Sequence, residues 1–466
     1  MIRFGTSGWR ARIAGDFTFS NVRLVSQAVA LLWKDEADRR PVIVGYDTRF
    51  LSEQFAAEAA RVLAERGLRV FLSNRPIPTP VVAHAITTEQ ARGGVNITAS
   101  HNPPDDNGIK VSGPTGAPLL PEATRELEAL IQRLSMSQPT TKKTVKTGTI
   151  ESRECVSAYL EHLGRVVDLS TLRRHPFTVA VDVQYGTALG ILDRALVEAG
   201  AHVRCLHGWR DVTFGGHRPE PTPETMGELI AAMKEEHALL GLATDGDADR
   251  FGVVDRDGTI LSANQFLAVV LYHLVKYRGW RGGVARSVAT THLLDAIARA
   301  YDCPVVETPV GFKYLGDLLL TGQAIFVGEE SGGMSLRGHL PEKDGILAGL
   351  LAAEIIATWD QPLRSLVEAI HSEVGPKWST RVDVPLTPEM TARLKARLAS
   401  PPERIGPYRV QRHSTIDGLK CFVEGEGWVL VRSSGTEPLA RLYVEANSSK
   451  ELEGLRVAAQ RHFFDN

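Results

Sequence analysis

Ser100 and a loop of three aspartates are the residues of this chain best suited to chemistry. Ser100 lies in Thr98-Ala99-Ser100-His101-Asn102-Pro103-Pro104, a polar loop stopped by prolines after the apolar stretch ending Val95-Asn96-Ile97. Farther on, Thr244-Asp245-Gly246-Asp247-Ala248-Asp249-Arg250 sets three carboxylates two apart and ends on an arginine. A hard cation such as Mg²⁺ takes carboxylate oxygens and keeps room for phosphate. A serine hydroxyl can carry a phosphoryl group whose added negative charge such a cation neutralises. The pairing points to phosphoryl transfer.

Other readings of these loops fare less well. His101 next to Ser100 could be the base of a hydrolase, but the Gly-x-Ser-x-Gly elbow is absent and no acidic partner for the histidine can be assigned. Counting from Asp245, an EF-hand needs Gly at its sixth position and Glu at its twelfth. Those positions hold Arg250 and Arg256. Apolar residues on both sides, Leu242-Ala243 and Phe251-Gly252-Val253-Val254, put the aspartate loop at strand ends, where α/β proteins bind ligands. Asn107-Gly108-Ile109-Lys110 adds a lysine to the serine-loop region.

Two further loops suit a phosphosugar, although each alone also reads as an ordinary turn. Gly328-Glu329-Glu330-Ser331-Gly332-Gly333 offers carboxylates and a hydroxyl on a glycine-bent segment, as sugar hydroxyls require. Arg432-Ser433-Ser434-Gly435-Thr436-Glu437-Pro438 has a guanidinium fork with hydroxyl and backbone N–H donors, a candidate phosphate cradle.

The elements that must position these loops repeat three times. Residues 42–44 lead through a polar turn into an Ala-rich helix with Phe55, Ala59, Val62 and Leu63 on one face; Gly67 stops it and a strand follows at 68–72. The plan recurs at 179–183, with a helix using Leu189, Leu192, Leu196 and Ala199, then Gly200 and a strand at 203–206. It recurs again at 283–288, through Leu293, Leu294, Ile297 and Tyr301, to 305–306. Strand, turn, amphipathic helix and strand is the βαβ crossover that favours parallel pairing. After Gly375-Pro376 the pattern changes. Val382 and Val384 alternate with polar residues, Leu394 and Leu398 suggest a helix, and 428–431 and 442–444 read as strands. Three α/β domains and a smaller α+β domain are expected, at 1–150, 151–257, 258–372 and 373–466, with the Lys/Thr-rich stretch 140–147 as a surface loop or boundary.

Composition fits that plan. The chain has 466 residues, too many for one core, with 43% apolar and 23% charged residues and a net charge of −2. There is no global basic footprint of the kind nucleic-acid binders show. Cys155, Cys205, Cys303 and Cys421 are far apart and read as reduced thiols. The start has no signal-peptide core, and the apolar run at 348–357 is short and broken by Glu354. A cytoplasmic protein without nucleic-acid or membrane partners is expected, as monomer or homodimer.

Taken in chain order, FGTSGWR, TASHNPPDDNGIK, TDGDADRFG, TPVGFKYLGD, GEESGG and RSSGTEP resemble the loops of the α-D-phosphohexomutase family, which includes phosphoglucomutases and phosphomannomutases. The resemblance implies four domains around a cleft, each giving one loop. By motif it makes Ser100 the phosphoserine, and Asp245, Asp247 and Asp249 the Mg²⁺ ligands with the Ser100 phosphoryl group. Glu329 and Ser331 would hold sugar hydroxyls, while Arg432, Ser434, Gly435 and Thr436 would bind the phosphate that does not react. Arg10, His101, Lys110 and Arg250 would surround the transferring group. Lys343, in Glu342-Lys343-Asp344-Gly345, resembles a catalytic-site lysine of glucose-type members. The implied reaction interconverts glucose 1-phosphate and glucose 6-phosphate, with glucose 1,6-bisphosphate as intermediate and activator. Lys110 and Lys343 are candidate proton acceptors if their pKa values are lowered. Mannose phosphates as substrates, release of the bisphosphate as product, and a sugar-phosphate sensor without turnover are the alternatives. Two positions depart from the family pattern. Gly333 stands where many bifunctional mannose/glucose members and the glucosamine members have histidine, and Gln184-Tyr185-Gly186-Thr187 is an unusual turn.

Overall fold

The computed structural model describes residues 2–465 except Thr6, Glu36, residues 137–146, Glu426 and residues 434–438. Most of the Lys/Thr-rich stretch therefore lies outside the described residues. The chain forms two compact units. Residues 1–263, 312–322 and 331–362 make the first, and residues 264–311, 323–330 and 363–466 the second.

The three expected repeats are present as parallel strand pairs. They join Val42–Tyr46 to Val70–Ser73, Thr178–Asp182 to His202–Leu206, and Val284–Ser287 to Val305–Thr308. The strands Val42–Tyr46 and Leu240–Thr244 are buried throughout, and both read as near-continuous apolar runs. The helix Ser52–Glu65 follows the first repeat's leading strand, buries Phe55, Ala59, Val62 and Leu63, and ends before Gly67 at φ 89°. The helix expected to use Leu189 in the second repeat begins later, at Leu192. Gly190, at φ 69°, interrupts the α conformation just before it.

In the first unit, two sheets end in hairpins that carry chemistry. The six-stranded sheet has an antiparallel pair, Gly93–Ile97 with Asp106–Ser112, and the serine loop joins its two strands. The five-stranded sheet has Leu240–Thr244 antiparallel to Phe251–Asp255, and the aspartate loop is their connection. The helix Gly345–Trp359 is apolar on all sides, and its first twelve residues are buried, as suits a core helix. Asp344 caps it, accepting from the backbone N–H groups of Ile346 and Leu347. Among the described residues no single helix is long and apolar enough to cross a membrane.

In the second unit, Val284–Ser287 pairs in parallel with both Val305–Thr308 and Phe326–Glu329. The C-terminal part is a six-stranded sheet whose pairs are all antiparallel. Its helices are Pro388–Ala399, capped by Thr387, and Ser449–Phe464, capped by Ser448. This is the smaller α+β domain expected from sequence. Its core joins Leu394, Leu419, Val431, Leu442 and Phe463.

Candidate active site

Ser100 is buried at the tip of its hairpin with φ 53°, in the left-handed region that non-glycine residues enter only when held there. The Thr98 hydroxyl accepts from the Ser100 N–H at 2.8 Å. Arg49 does most of the holding. Its fully buried guanidinium donates to the carbonyls of Ser100 (2.6 Å), Asn102 (2.7 Å), Pro103 (2.7 Å) and Asp106 (3.0 Å). Asp47, also fully buried, pairs with Arg49 at 3.1 Å. Arg10, on a strand antiparallel to Asp106–Ser112, donates to the Asn102 side chain at 2.6 Å.

The aspartate loop closes against this hairpin. Ser100 Oγ donates to Asp245 Oδ2 at 2.7 Å, and His101 Nδ1 lies 3.2 Å from the same hydroxyl. Such closeness requires a glycine between the first two aspartates. A Cβ at Gly246 would meet the Ser100 carbonyl oxygen at 2.7 Å and Pro219 at 3.0 Å. Lys110 Nζ donates to Asp247 at 2.6 Å and Asp249 at 2.7 Å, and Lys343 Nζ donates to Asp249 at 2.6 Å. Arg250 pairs with Glu220 at 2.7 Å.

The electrostatics follow from burial and crowding. Burial and the two neighbouring carboxylates push Asp245 well above the usual carboxylate range. Burial acts the same way on Asp249, but Lys110 and Lys343 outweigh it and hold that group well down. Burial, Arg250 and Arg10 keep the His101 ring neutral over the physiological range. Lys110 is buried too, yet Asp247 and Asp249 raise its pKa. It therefore stands as a fixed cation and does not meet the condition for a proton acceptor.

Each of the three aspartates offers one oxygen within 4.8 Å of the others. Asp247 Oδ1 and Asp249 Oδ1 are buried and accept no hydrogen bond from the protein. Oxygen-only donors with buried, unsatisfied lone pairs fit a hard divalent cation.

The first unit thus brings together Ser100, His101, Arg10, Lys110, Arg250, Lys343 and the three aspartates. Ser331 is also in this unit, half-buried in the turn before Gly333. A Cβ at Gly333 would overlap the Lys343 side chain. Glu329 and Arg432 belong to the second unit. Glu329 Oε1 accepts from the Gly311 N–H at 2.8 Å, while Arg432 pairs with Asp417 at 2.7 Å. Asp417 also accepts from the Val310 N–H at 2.9 Å, so both groups fasten to the TPVGFKYLGD segment. Ser434, Gly435 and Thr436 lie outside the described residues. Arg49 and Thr79 escaped the sequence reading. Thr79 bonds to Asp247 through both its N–H and its hydroxyl, but its residue type and surroundings resemble any helix start.

Residues 1–138, 157–258, 262–374 and 383–461 match, in order, the alpha/beta/alpha domains I, II and III and the C-terminal domain described for phosphoglucomutase/phosphomannomutase. The chain belongs to the phosphoglucomutase/phosphomannomutase family. It is 30% identical to a phosphoglucomutase of Komagataeibacter xylinus, over 98% of this chain and 90% of that one. A phosphoglucomutase/phosphomannomutase of Thermococcus kodakarensis is 31% identical, over 96% and 95%. The crystal structure of a candidate phosphomannomutase from Thermus thermophilus superposes with a TM-score of 0.85 at 33% identity, covering 99% and 98% of the two chains. Membership makes this protein a phosphohexomutase, an isomerase that works by phosphoryl transfer. The relatives' names divide among phosphoglucomutase, phosphomannomutase and phosphoglucosamine mutase.

Proposed function

We propose that the protein is a phosphoglucomutase, interconverting glucose 1-phosphate and glucose 6-phosphate through a phosphorylated Ser100 and a glucose 1,6-bisphosphate intermediate. The observation that carries the class of chemistry is the Ser100 hydroxyl, buried against Asp245 and beside two further carboxylates. The free hydroxyl of the substrate attacks the phosphorus on Ser100. The bond from phosphorus to Ser100 Oγ breaks as the new ester bond forms, and the proton lost by the attacking hydroxyl ends on Ser100 Oγ, leaving a bisphosphate and a free serine. After the sugar turns over, Ser100 Oγ takes the other phosphoryl group back. Arg10, Lys110 and Arg250 supply fixed positive charge around the transferring group, which is most of what such a reaction demands. Asp245, Asp247 and Asp249 would hold Mg²⁺ together with the Ser100 phosphoryl group; when bound, the ion neutralises phosphoryl charge. Glu329 and Ser331 take the sugar hydroxyls, and Arg432 with Ser434, Gly435 and Thr436 takes the non-reacting phosphate. The four domains of this reading meet near residues 150, 257 and 372.

The preference for glucose rests on the Gly333–Lys343 pair. The space a histidine at 333 would need is filled by the stem of Lys343. The chain therefore presents an ammonium group held by Asp249 where many bifunctional mannose/glucose members and the glucosamine members would present an imidazole. A coupled assay on glucose, mannose and glucosamine 1-phosphates, with and without glucose 1,6-bisphosphate, tests both levels. The glucose ester should be turned over fastest, and peptide mapping should find phosphate on the Ser100 peptide. Faster turnover of the mannose ester would overturn the substrate. An active enzyme that never carries phosphate on Ser100 would overturn the mechanism.

A further inference from the structure

Thr79 opens the helix Thr79–Thr88 and is buried. Pro78 before it supplies no side-chain cap, so the helix lacks the usual oxygen for its leading N–H groups. The Thr79 N–H donates instead to the main-chain carbonyl of Asp247 at 3.0 Å. The segment is also tied from behind, since the Ile77 N–H donates to the Tyr46 carbonyl at 2.9 Å. A helix start is therefore fastened directly to the aspartate loop.

The hydroxyl makes the second tie. Thr79 Oγ1 bonds to Asp247 Oδ2, and a carboxylate oxygen paired with the Lys110 ammonium can only accept, so the hydroxyl proton points to Asp247. The hydroxyl's lone pairs take Asn96 Nδ2 at 2.9 Å and Lys110 Nζ at 3.4 Å. Asn96 and Lys110 stand opposite each other in the antiparallel pair that carries the serine loop, which puts both side chains on one face of it. One hydroxyl thus joins the serine hairpin to the aspartate loop.

This arrangement aims a carboxylate. Asp247 Oδ2 takes Thr79 and Lys110, whereas Oδ1 accepts no hydrogen bond among the described residues. Asp249 repeats the plan, with Oδ2 held by Lys110 and Lys343 and Oδ1 without a hydrogen bond. The holders differ in charge. Two ammonium groups hold Asp249, while one of the two holders at Asp247 is a neutral hydroxyl. A hydroxyl orients the ligand without setting a further positive charge beside a cation.

We propose that Thr79 is a positioning residue for phosphoryl transfer: its hydroxyl turns Asp247 Oδ1 toward the divalent cation and sets how tightly the aspartate loop holds that ion. The inference rests on the cation reading of that loop and not on which sugar phosphate is isomerised. Hydrogen-bond partners of a metal ligand typically carry about ten- to a hundredfold in metal affinity.

Titration of the full chain with Mn²⁺, read by the paramagnetic resonance of the free ion, tests it. Wild type, T79V and T79S are compared at equal Ser100 phosphate content, read by intact mass. Valine keeps the branched shape and loses the hydroxyl, whereas serine keeps the hydroxyl. The dissociation constant should rise at least about tenfold in T79V and stay within about threefold of wild type in T79S. T79V should lose kcat at low Mg²⁺ and recover most of it as Mg²⁺ is raised, with KM for the sugar phosphate little changed. A general loss of stability would not give that pattern. In the wild type, Mg²⁺ should slow hydrogen exchange in residues 79–82, a readout that stands even if T79V fails to fold. Equal Mn²⁺ affinity in wild type and folded T79V overturns the role of Thr79 and leaves the cation site standing. So does a T79S as weak as T79V, or unchanged exchange at residues 79–82. A wild type that binds no Mn²⁺ overturns the cation site itself, and this role with it.

Discussion

Two buried clusters of charge in this protein are built on opposite plans. In the first unit, Asp245, Asp247 and Asp249 crowd together, with Lys110 and Lys343 as their lysine partners, and two carboxylate oxygens accept no hydrogen bond. In the second unit, Arg286 grips Asp295 and Glu307, and Lys420 bonds Glu307, the Val288 carbonyl and His292. None of Arg286, Asp295, Glu307 and Lys420 has a buried side-chain nitrogen or oxygen without a partner. Burying charge costs several kcal/mol per ion unless partners replace water. The second cluster meets that cost internally. The first leaves lone pairs and like charges uncompensated, as expected of a cluster that awaits a guest.

The contrast breaks most sharply if one charge is removed from each cluster. Asp247→Asn should lower turnover by at least about a hundredfold, because a cation site loses a charged oxygen and with it several kcal/mol of charge stabilisation. Its melting temperature should hold or fall modestly, since the buried contacts of Lys110 and Thr79 to this carboxylate weaken while like-charge repulsion also falls and Lys110 keeps Asp249. Steady-state kinetics across Mg²⁺ concentrations and thermal melting read the two effects separately. Near-normal turnover would remove the first cluster from the chemistry.

Arg49→Lys should come next in size. The lysine keeps the charge beside Asp47 but cannot reach four carbonyls at once, so the serine hairpin loosens about Ser100. A misplacement of about 1 Å in reacting groups costs up to roughly a hundredfold. The expected signature is a fall in kcat of about ten- to a hundredfold with KM little changed. A variant that loses only stability would show Arg49 to be scaffolding alone.

In the second unit, Glu307→Gln should act on stability. It leaves Lys420 buried without its carboxylate, and breaking a buried pair costs roughly 3 kcal/mol. Calorimetry should show an earlier transition for the second unit, while turnover per folded molecule changes far less than in Asp247→Asn. An unchanged transition would mean that the network's hydrogen bonds, and not its charges, matter.

Much of this contrast was readable in residue order, but unevenly. The aspartate loop declares itself because three carboxylates two apart between apolar runs have few other uses. The leading strands of the three repeats were legible as apolar runs ending in polar turns. Arg49 was not, because Asp47-Thr48-Arg49 after a strand looks like a solvated turn, and only tertiary packing buries it. The late start of the helix at Leu192 turned on the backbone at Gly190, which the apolar spacing of Leu189 and Leu192 concealed. The second cluster left no signal at all. Its members are scattered from Arg286 to Lys420, and their types match those of any surface.

A third buried cluster sharpens the comparison from the neutral side, with the smallest expected effect. In the first unit, the His84 ring lies 5.1 Å from the His162 ring, and His162 Nε2 is 3.1 Å from His339 Nδ1. His339 Nε2 and the Tyr159 hydroxyl both meet Asp344 Oδ2, at 2.7 and 2.6 Å. Burial, followed by the neighbouring histidines and Arg165, lowers the pKa of His84 to about 4, with Asp344 opposing. Burial, His339 and Arg165 lower His162 to about 4 as well. Both rings bind fewer protons folded than unfolded wherever the pH lies between about 4 and the ordinary histidine value of 6.5. Stability from this cluster is therefore complete above about pH 6.5, declines as the pH falls toward 4, and loses nothing more below that. Urea unfolding at pH 7.5, 5.5 and 4.5 should show this decline, with a shallower slope in His84→Asn. An identical slope in wild type and variant would assign the acid sensitivity to the carboxylate clusters instead.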